Sequence, residues 1–374
     1  MKISPEELKK GPWLINAICP YFTMFPLEYP VKILDQVDKE CVVFDPFCGR
    51  GTSLFAARMY GHCAYGIDNN PVAVAVSESK MVAVSVKKIT DTLEKALNFD
   101  GNFSVPQSEF WNYAFEKSVL KDICKIRSYL LYHNRASEKA LRGIMLGALH
   151  GPKTKNIQNA SYFSNQMPRT FSSKPNYSVN FWKKNDIFPE KVDIHEIVKK
   201  RALKFSAGKI PLVKKRIVHG NSMAHSLYKK IPSLVDIIIT SPPYYGMRTY
   251  YIDQWLRNWF LGGPDFPKEM SKTKLNIGTA IDFSASLGKV WTNCANISNN
   301  KTKMYVRFGS IPSHDVDPID IFNYSIELGG NKWKLLKVTD AGNYSLGKRQ
   351  ANQMLKKNKS KPLKEYDLEL VKNA

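Results

Sequence analysis

The chain is poor in cysteine, in acidic residues and in long apolar runs. Its 374 residues include 6 cysteines. These are Cys19, Cys41, Cys48, Cys63, Cys124 and Cys294, and no two stand as C-x-x-C. That spacing argues against a zinc module and against a disulfide framework, and no metal site is expected. No uninterrupted apolar stretch approaches the roughly 20 residues that span a bilayer. Residues 1–10 are polar and carry Glu6 and Glu7, unlike a secretory leader, so a cytoplasmic protein is expected. Acidic side chains number 33 against 55 Lys and Arg, a formal net charge of +22. An imbalance of that size implies a polyanionic partner, because Lys and Arg displace the counterions condensed on phosphates. No amphipathic anchor stands out, so an anionic membrane is the weaker candidate. The remaining composition, 43% hydrophobic and 24% charged, is that of an ordinary globular protein.

Two stretches carry the chemistry. The first is Val235-Asp236-Ile237-Ile238-Ile239-Thr240-Ser241-Pro242-Pro243-Tyr244. Its β-branched run has the length of a strand buried on both faces. Two prolines then fix φ and remove two backbone donors, which stops the strand and forbids an immediate helix. A rigid turn results, presenting a hydroxyl, a carbonyl and a ring at the carboxyl end of a strand, where open α/β sheets bind ligands. The second is Cys41-Val42-Val43-Phe44-Asp45-Pro46-Phe47-Cys48-Gly49-Arg50-Gly51-Thr52. It reads as strand, glycine turn and helix, with Gly49 and Gly51 letting backbone lie close to a ligand. Another strand, Cys63-Ala64-Tyr65-Gly66-Ile67, ends in Asp68, an acid about 20 positions after the turn, suited to ribose hydroxyls. Pro71 suits the first turn of the helix that follows.

Asp-Pro-Phe-Cys-Gly-x-Gly-Thr followed by Ser-Pro-Pro-Tyr resembles the S-adenosylmethionine-dependent DNA amino-methyltransferases. Ser before Pro-Pro is most similar to the cytosine-N4 branch, adenine-N6 members more often having Asp or Asn there. The resemblance implies a Rossmann-like class I methyltransferase sheet, mostly parallel and seven-stranded, with S-adenosyl-L-methionine as cofactor. It implies that Asp45 accepts from the methionine amino group, that Gly49 and Gly51 admit the cofactor and that Asp68 holds its ribose. Phe47 and Thr52 complete that set, with Asn221 standing where the family often has Asp. Ser241, Pro242, Pro243 and Tyr244 are the expected catalytic residues.

The chemistry is consistent with those residue types. An exocyclic amino nitrogen is a poor nucleophile because its lone pair is delocalised into the base. The Pro242 carbonyl and the Ser241 hydroxyl can accept its protons and hold it toward tetrahedral geometry, while Tyr244 offers a stacking surface. Such a base has to leave the duplex. The chain has no Pro-Cys dipeptide, so the carbon-5 cytosine reaction is excluded.

Three activities follow as expectations. The first is a site-specific duplex-DNA methyltransferase, cytosine N4 before adenine N6, with a cognate restriction endonuclease as its partner if it serves a restriction–modification system. The others are an RNA methyltransferase at guanine N2 or adenine N6, and a non-catalytic nucleic-acid-binding protein.

The segment between the two halves is too long for a plain crossover. The catalytic domain is therefore assigned to residues 1–86 and 214–345, with 87–213 as an inserted target-recognition region and 346–374 as a basic tail. Residues 11–30, rich in rings and prolines, are expected either to pack against the first helix or to cover the cofactor. Helical spacing is read over 107–132, 136–149 and 190–205, the last with Leu203 inward and Lys199, Lys200 and Arg201 outward. Within 153–184, basic groups alternate with aromatics and amides, a mixture suited to phosphate contact and base stacking, or else to a solvated loop. Lys153, Lys155, Arg169 and Lys174, with Arg248 after the Pro-Pro turn, are the expected nucleic-acid contacts.

Overall fold

A computed structural model describes residues 4, 6–20, 25–152, 160–168, 174–206, 208–232, 234–246, 251–268, 278–309, 316–341 and 365–373. The amino-terminal half runs α1 (Glu28–Leu34), β1 (Val42–Asp45), α2 (Thr52–Met59), β2 (Cys63–Asp68) and α3 (Pro71–Lys80). Six helices follow, α4 (Val86–Leu97), α5 (Glu109–Ala114), α6 (Lys117–Tyr132), α7 (Ala136–Ala148), α8 (Pro175–Lys184) and α9 (Ile194–Ala202). The sheet resumes with β3 (Lys215–His219), α10 (His225–Tyr228), β4 (Val235–Thr240), α11 (Trp255–Phe260) and α12 (Ala280–Asn296). It ends with β5 (Ser298–Gly309), α13 (Pro318–Leu328), β6 (Trp333–Asp340) and β7 (Glu365–Lys372).

These strands form a 7-stranded sheet in the order β3-β2-β1-β4-β5-β7-β6. Strands β3, β2, β1, β4 and β5 pair in parallel, and β7 runs antiparallel between β5 and β6. This is the mostly parallel, seven-stranded Rossmann-like sheet that the resemblance implies. Alternation along the strands explains the layers. Val43, Ile237 and Ile239 face one core with α2, α3 and the central helices, while Phe44, Ile238 and Val306 face the other with α12 and α13.

Capping residues set several helix starts. Asn70 accepts from Val72 N with Pro71 following, and Ser85, Glu116, Asp193, Thr279 and Asp317 each accept from a first-turn amide. Glu116 also divides the expected 107–132 pattern into α5 and α6.

The central helices pack directly on helices of the sheet. Helix α7 lies so close to α3 that a Cβ at Gly143 would sit 2.2 Å from Ser79 Oγ, and Lys139 bonds Glu78 at 2.9 Å. Trp111 packs on Trp259 of α11 at a centroid distance of 4.5 Å.

Two expectations need correction. Helix α9 stops at Ala202, so Leu203 turns outward at 55% exposure, while Arg201 turns inward to Ile18 O and Ser161 O. Residues 365–372, inside the stretch read as a basic tail, form the strand that joins β5 to β6. The alternation in Glu365-Tyr366-Asp367-Leu368-Glu369-Leu370 fits such a strand, with Leu368 and Leu370 inward.

Ending the chain at residue 346 is therefore expected to abolish cooperative unfolding, because β5 and β6 lose their common neighbour. A urea melt followed by circular dichroism checks this, and a wild-type midpoint would contradict it.

Candidate active site

The two motif loops leave neighbouring strands at the same edge of the sheet. Strands β1 and β4 are paired in parallel, Phe44 opposite Ile238, so Asp45 and Thr240 end side by side. Asp45 is wholly buried. Its Oδ1 accepts from Thr240 Oγ1 at 2.6 Å and from Phe47 N at 3.0 Å, and its Oδ2 accepts from Ser53 Oγ. One carboxylate thus ties the end of β4, the Pro-Phe turn and the first turn of α2 together. Burial pushes its pKa up to about 6, against the opposing pull of those donors. Asp45 is enclosed here rather than turned toward a ligand, and its observed work is to brace both loops.

The glycine turn is built as its sequence requires. Gly49 and Gly51 have φ of 51° and 73°, a region that side chains with a Cβ rarely adopt. A Cβ on Gly51 would lie 2.6 Å from Ser77 Oγ, which itself donates to Gly49 O at 2.8 Å. Gly49 N donates to Asp68 Oδ2 at 2.8 Å, and Asn70 N donates to Asp68 Oδ1 at 2.8 Å. Asp68 therefore stands at the end of β2 against the turn, half-buried, with its pKa raised by burial. Each of its oxygens keeps acceptor capacity for a ribose hydroxyl. Thr52 opens α2 with its hydroxyl buried and unpartnered. Phe47 packs edge-on to Trp291 at 6.4 Å. Asn221 Oδ1 accepts from Met223 N at 3.0 Å, just beyond the end of β3, where Gly220 N donates to Asp68 O at 2.9 Å. The residues expected around a cofactor are thus gathered at the ends of β1, β2 and β3, and a glycine turn facing a ribose-competent carboxylate fits an adenosyl group.

On the β4 side, Ser241 and Pro243 are half-buried and Pro242 is buried. Tyr244 is 7% exposed, its ring edge-on to Phe308 at 5.8 Å and its hydroxyl donating to Glu365 Oε1 at 2.9 Å. The expected stacking surface is therefore mostly covered in this state.

The described part of the aromatic segment before β1 packs against the helix after the glycine turn, as one of its two readings expects, and also touches that turn. Trp13 packs edge-on to Phe55 of α2 at 6.0 Å, and Cys19 O accepts from Arg50 of the glycine turn at 3.3 Å.

The expected nucleic-acid contacts divide. Lys153, Lys155, Arg169 and Arg248 lie outside the described residues. Lys174 is exposed and precedes α8, which also presents Tyr177, Lys183 and Lys184 to solvent. Phe163, Asn165 and Trp182, read from sequence as part of the same contact mixture, are buried. Asn165 Nδ2 donates to Tyr113 O at 2.9 Å, and the Trp182 indole donates to Gln166 O. These three are packing residues, and the buried amide has the internal partners it needs.

Sequence reasoning missed Ser53, Ser77, Thr240 and Glu365. Ser53 and Thr240 flank the motifs and are legible only as neighbours of a buried acid, while Ser77 on α3 and Glu365 give no local signal at all. Among the described residues no His, Cys, Asp or Glu cluster is arranged to hold a metal, and no helix is long and apolar enough to cross a membrane.

No protein-family model matches the chain. It is similar to the type II methyltransferase M.MvaI of Kocuria varians, 22% identical over 270 residues, 61% of this chain and 56% of that protein. The chain thus matches little more than half the length of that relative. Among solved structures it is similar to the rRNA methyltransferase aviRa of Streptomyces viridochromogenes, with a TM-score of 0.39 and 11% identity over 100% of this chain and 94% of that one. It is also similar to a geranyl diphosphate methyltransferase bound to GPP and sinefungin, with a TM-score of 0.34 and 7% identity over 92% and 76% of the two chains. The fold assignment rests on strand order and direction, not on these scores.

Gly51→Ala is expected to cost about 1–3 kcal/mol of stability and to weaken binding of sinefungin, measured by calorimetry. Unchanged affinity would contradict the close approach at this turn. Asp45 carries a pH signature of known sign. Its pKa rises from 3.8 to about 6 on folding, so between those values only the folded state keeps the proton. Stability from this group is then highest at low pH and falls as pH rises through that window, by an amount on the order of 1–3 kcal/mol. Asp45→Asn is expected to remove that slope in urea melts between pH 4 and pH 7.

Proposed function

We propose that this chain is an S-adenosylmethionine-dependent methyltransferase acting on the exocyclic amino group of a base in duplex DNA, cytosine N4 before adenine N6. The observation that carries the proposal is the 2.6 Å bond from Thr240 to Asp45, which brings the Gly49 turn and the Ser241 turn to one edge of the sheet. The similarity to a type II methyltransferase supports the same assignment, as does the net charge of +22.

When bound, S-adenosylmethionine supplies an electrophilic methyl group on a sulfonium. The chain's own residues position and polarise. Gly49 and Gly51 let the backbone approach the cofactor, and Asp68 accepts from its ribose. Across the β1–β4 junction, the Pro242 carbonyl and Ser241 hydroxyl accept hydrogen bonds from the two N–H groups of the target amine. That draws its nitrogen toward a tetrahedral shape and frees the lone pair for in-line attack. The proline pair keeps both acceptors in place without local backbone donors to compete for them. The small exposed edge of Tyr244 borders the place of the extruded base. The exposed face of α8, with Lys174, Tyr177, Lys183 and Lys184, provides phosphate contacts within the insertion.

The test is transfer of a tritiated methyl group from S-adenosylmethionine to duplex DNA and, in parallel, to RNA, followed by nucleoside digestion and mass spectrometry. N4-methylcytosine in DNA is the expected product. Label confined to RNA, or none in either polymer, would overturn the proposal. Replacing exposed Lys174 and Lys184 by alanine is expected to weaken binding to duplex DNA while sinefungin affinity stays near wild type.

A further inference from the structure

The Pro-Pro-Tyr turn is held by a group that comes from the far end of the chain. Glu365 is the first residue of β7 and lies opposite Gly309 at the end of β5. Its carboxylate accepts the Tyr244 hydroxyl at 2.9 Å across a separation of 121 residues. Strand β7 is itself clamped at this point. Two residues on, Asp367 receives Arg307 Nε at 2.7 Å and Nη2 at 2.8 Å, with the two residues in direct register. The Arg307 guanidinium lies 4.3 Å over the ring of Tyr29 from α1, which fixes it from the other side. Ser241 stands three residues before Tyr244 in the same Pro-Pro turn, so a hold on the ring is a hold on the turn that carries it.

We propose that Glu365 is a positioning residue for methyl transfer: it fixes Tyr244, and through it the Ser241 hydroxyl, where the target amine must meet them. The proposal rests on the function assigned above. A ring held by apolar packing alone can pivot about its own axis, whereas a charge-assisted bond at its tip sets both depth and tilt. Burial, followed by the Glu365 charge, holds the Tyr244 pKa well above the ordinary phenol range, so the phenol stays the donor. Small displacements matter at such a site, since errors of about 1 Å can slow an oriented reaction about a hundredfold. Strand β7 is then part of the active site as well as part of the sheet.

The experiment compares Glu365→Ala, Glu365→Gln, Tyr244→Phe and the Glu365→Ala/Tyr244→Phe double variant in the full chain. It measures kcat and KM for methyl transfer to duplex DNA and Kd for sinefungin. Glu365→Ala and Tyr244→Phe are each expected to lower kcat about tenfold to a hundredfold with sinefungin affinity unchanged. The double variant should be no slower than the worse single one, because both remove the same bond. Glu365→Gln keeps an acceptor oxygen and should retain most of the rate. Wild-type kcat in Glu365→Ala, multiplicative losses in the double variant, or a glutamine variant as slow as alanine would each overturn the proposal. If Glu365→Ala does not fold, Tyr244→Phe, which keeps the ring and its packing, carries the test alone, and wild-type kcat there overturns it. A wild-type chain that binds sinefungin but methylates no nucleic acid defeats the functional assignment and this proposal together. Active wild type with indifferent variants defeats this proposal only.

Discussion

The interaction on which the site depends is the enclosure of the Asp45 carboxylate at the ends of β1 and β4. A buried carboxylate is tolerated when donors converge on it, and those donors come from three places: the Pro-Phe turn, the first turn of α2 and the last residue of β4. Satisfying one group therefore fixes three backbone segments relative to each other. The glycine turn follows from the first two, and Ser241 follows Thr240 by one residue. Burial still raises the Asp45 pKa, so this brace is under electrostatic load even when fully bonded.

Around that brace the sheet separates labour by strand. The ends of β1, β2 and β3 carry the glycine turn, Asp68 and Asn221, while the ends of β4, β5 and β7 carry Ser241, Phe308 and Glu365. The central helices do not form a detached module. Helix α7 is docked on α3 through Gly143 and Ser79, and Trp111 of α5 packs on Trp259 of α11. Helix α8 is tied to the same packing through Trp182, which lies against Phe110 of α5.

Much of this was legible in the sequence, and the reasons are local. Strand β4 was readable because a β-branched run met two prolines, and the glycine turn because Gly49 and Gly51 stand between a strand and a helix. A mostly parallel, seven-stranded sheet followed from the resemblance those motifs carry. What stayed hidden depended on contacts across long separations. Nothing near Glu365 marks it as the partner of Tyr244, and a lysine-rich stretch before it disguised β7 as tail. Amides and rings around Asn165 and Trp182 resembled a contact surface because composition does not distinguish a polar group facing solvent from one bonded inside a core. Leu203 was placed inward because helical periodicity was extended past the point where α9 ends.

The central claim is that the two loops make one site, with the cofactor on the β1–β2 side and the acceptor turn of β4 facing its reactive end. A crystal structure with sinefungin tests it most directly. The expected result places the ribose on Asp68, the backbone of Gly49 and Gly51 against the ligand, and the amine that replaces the methyl donor directed at Ser241 and Pro242. Sinefungin bound away from that junction, or directed away from the Pro-Pro turn, would contradict it.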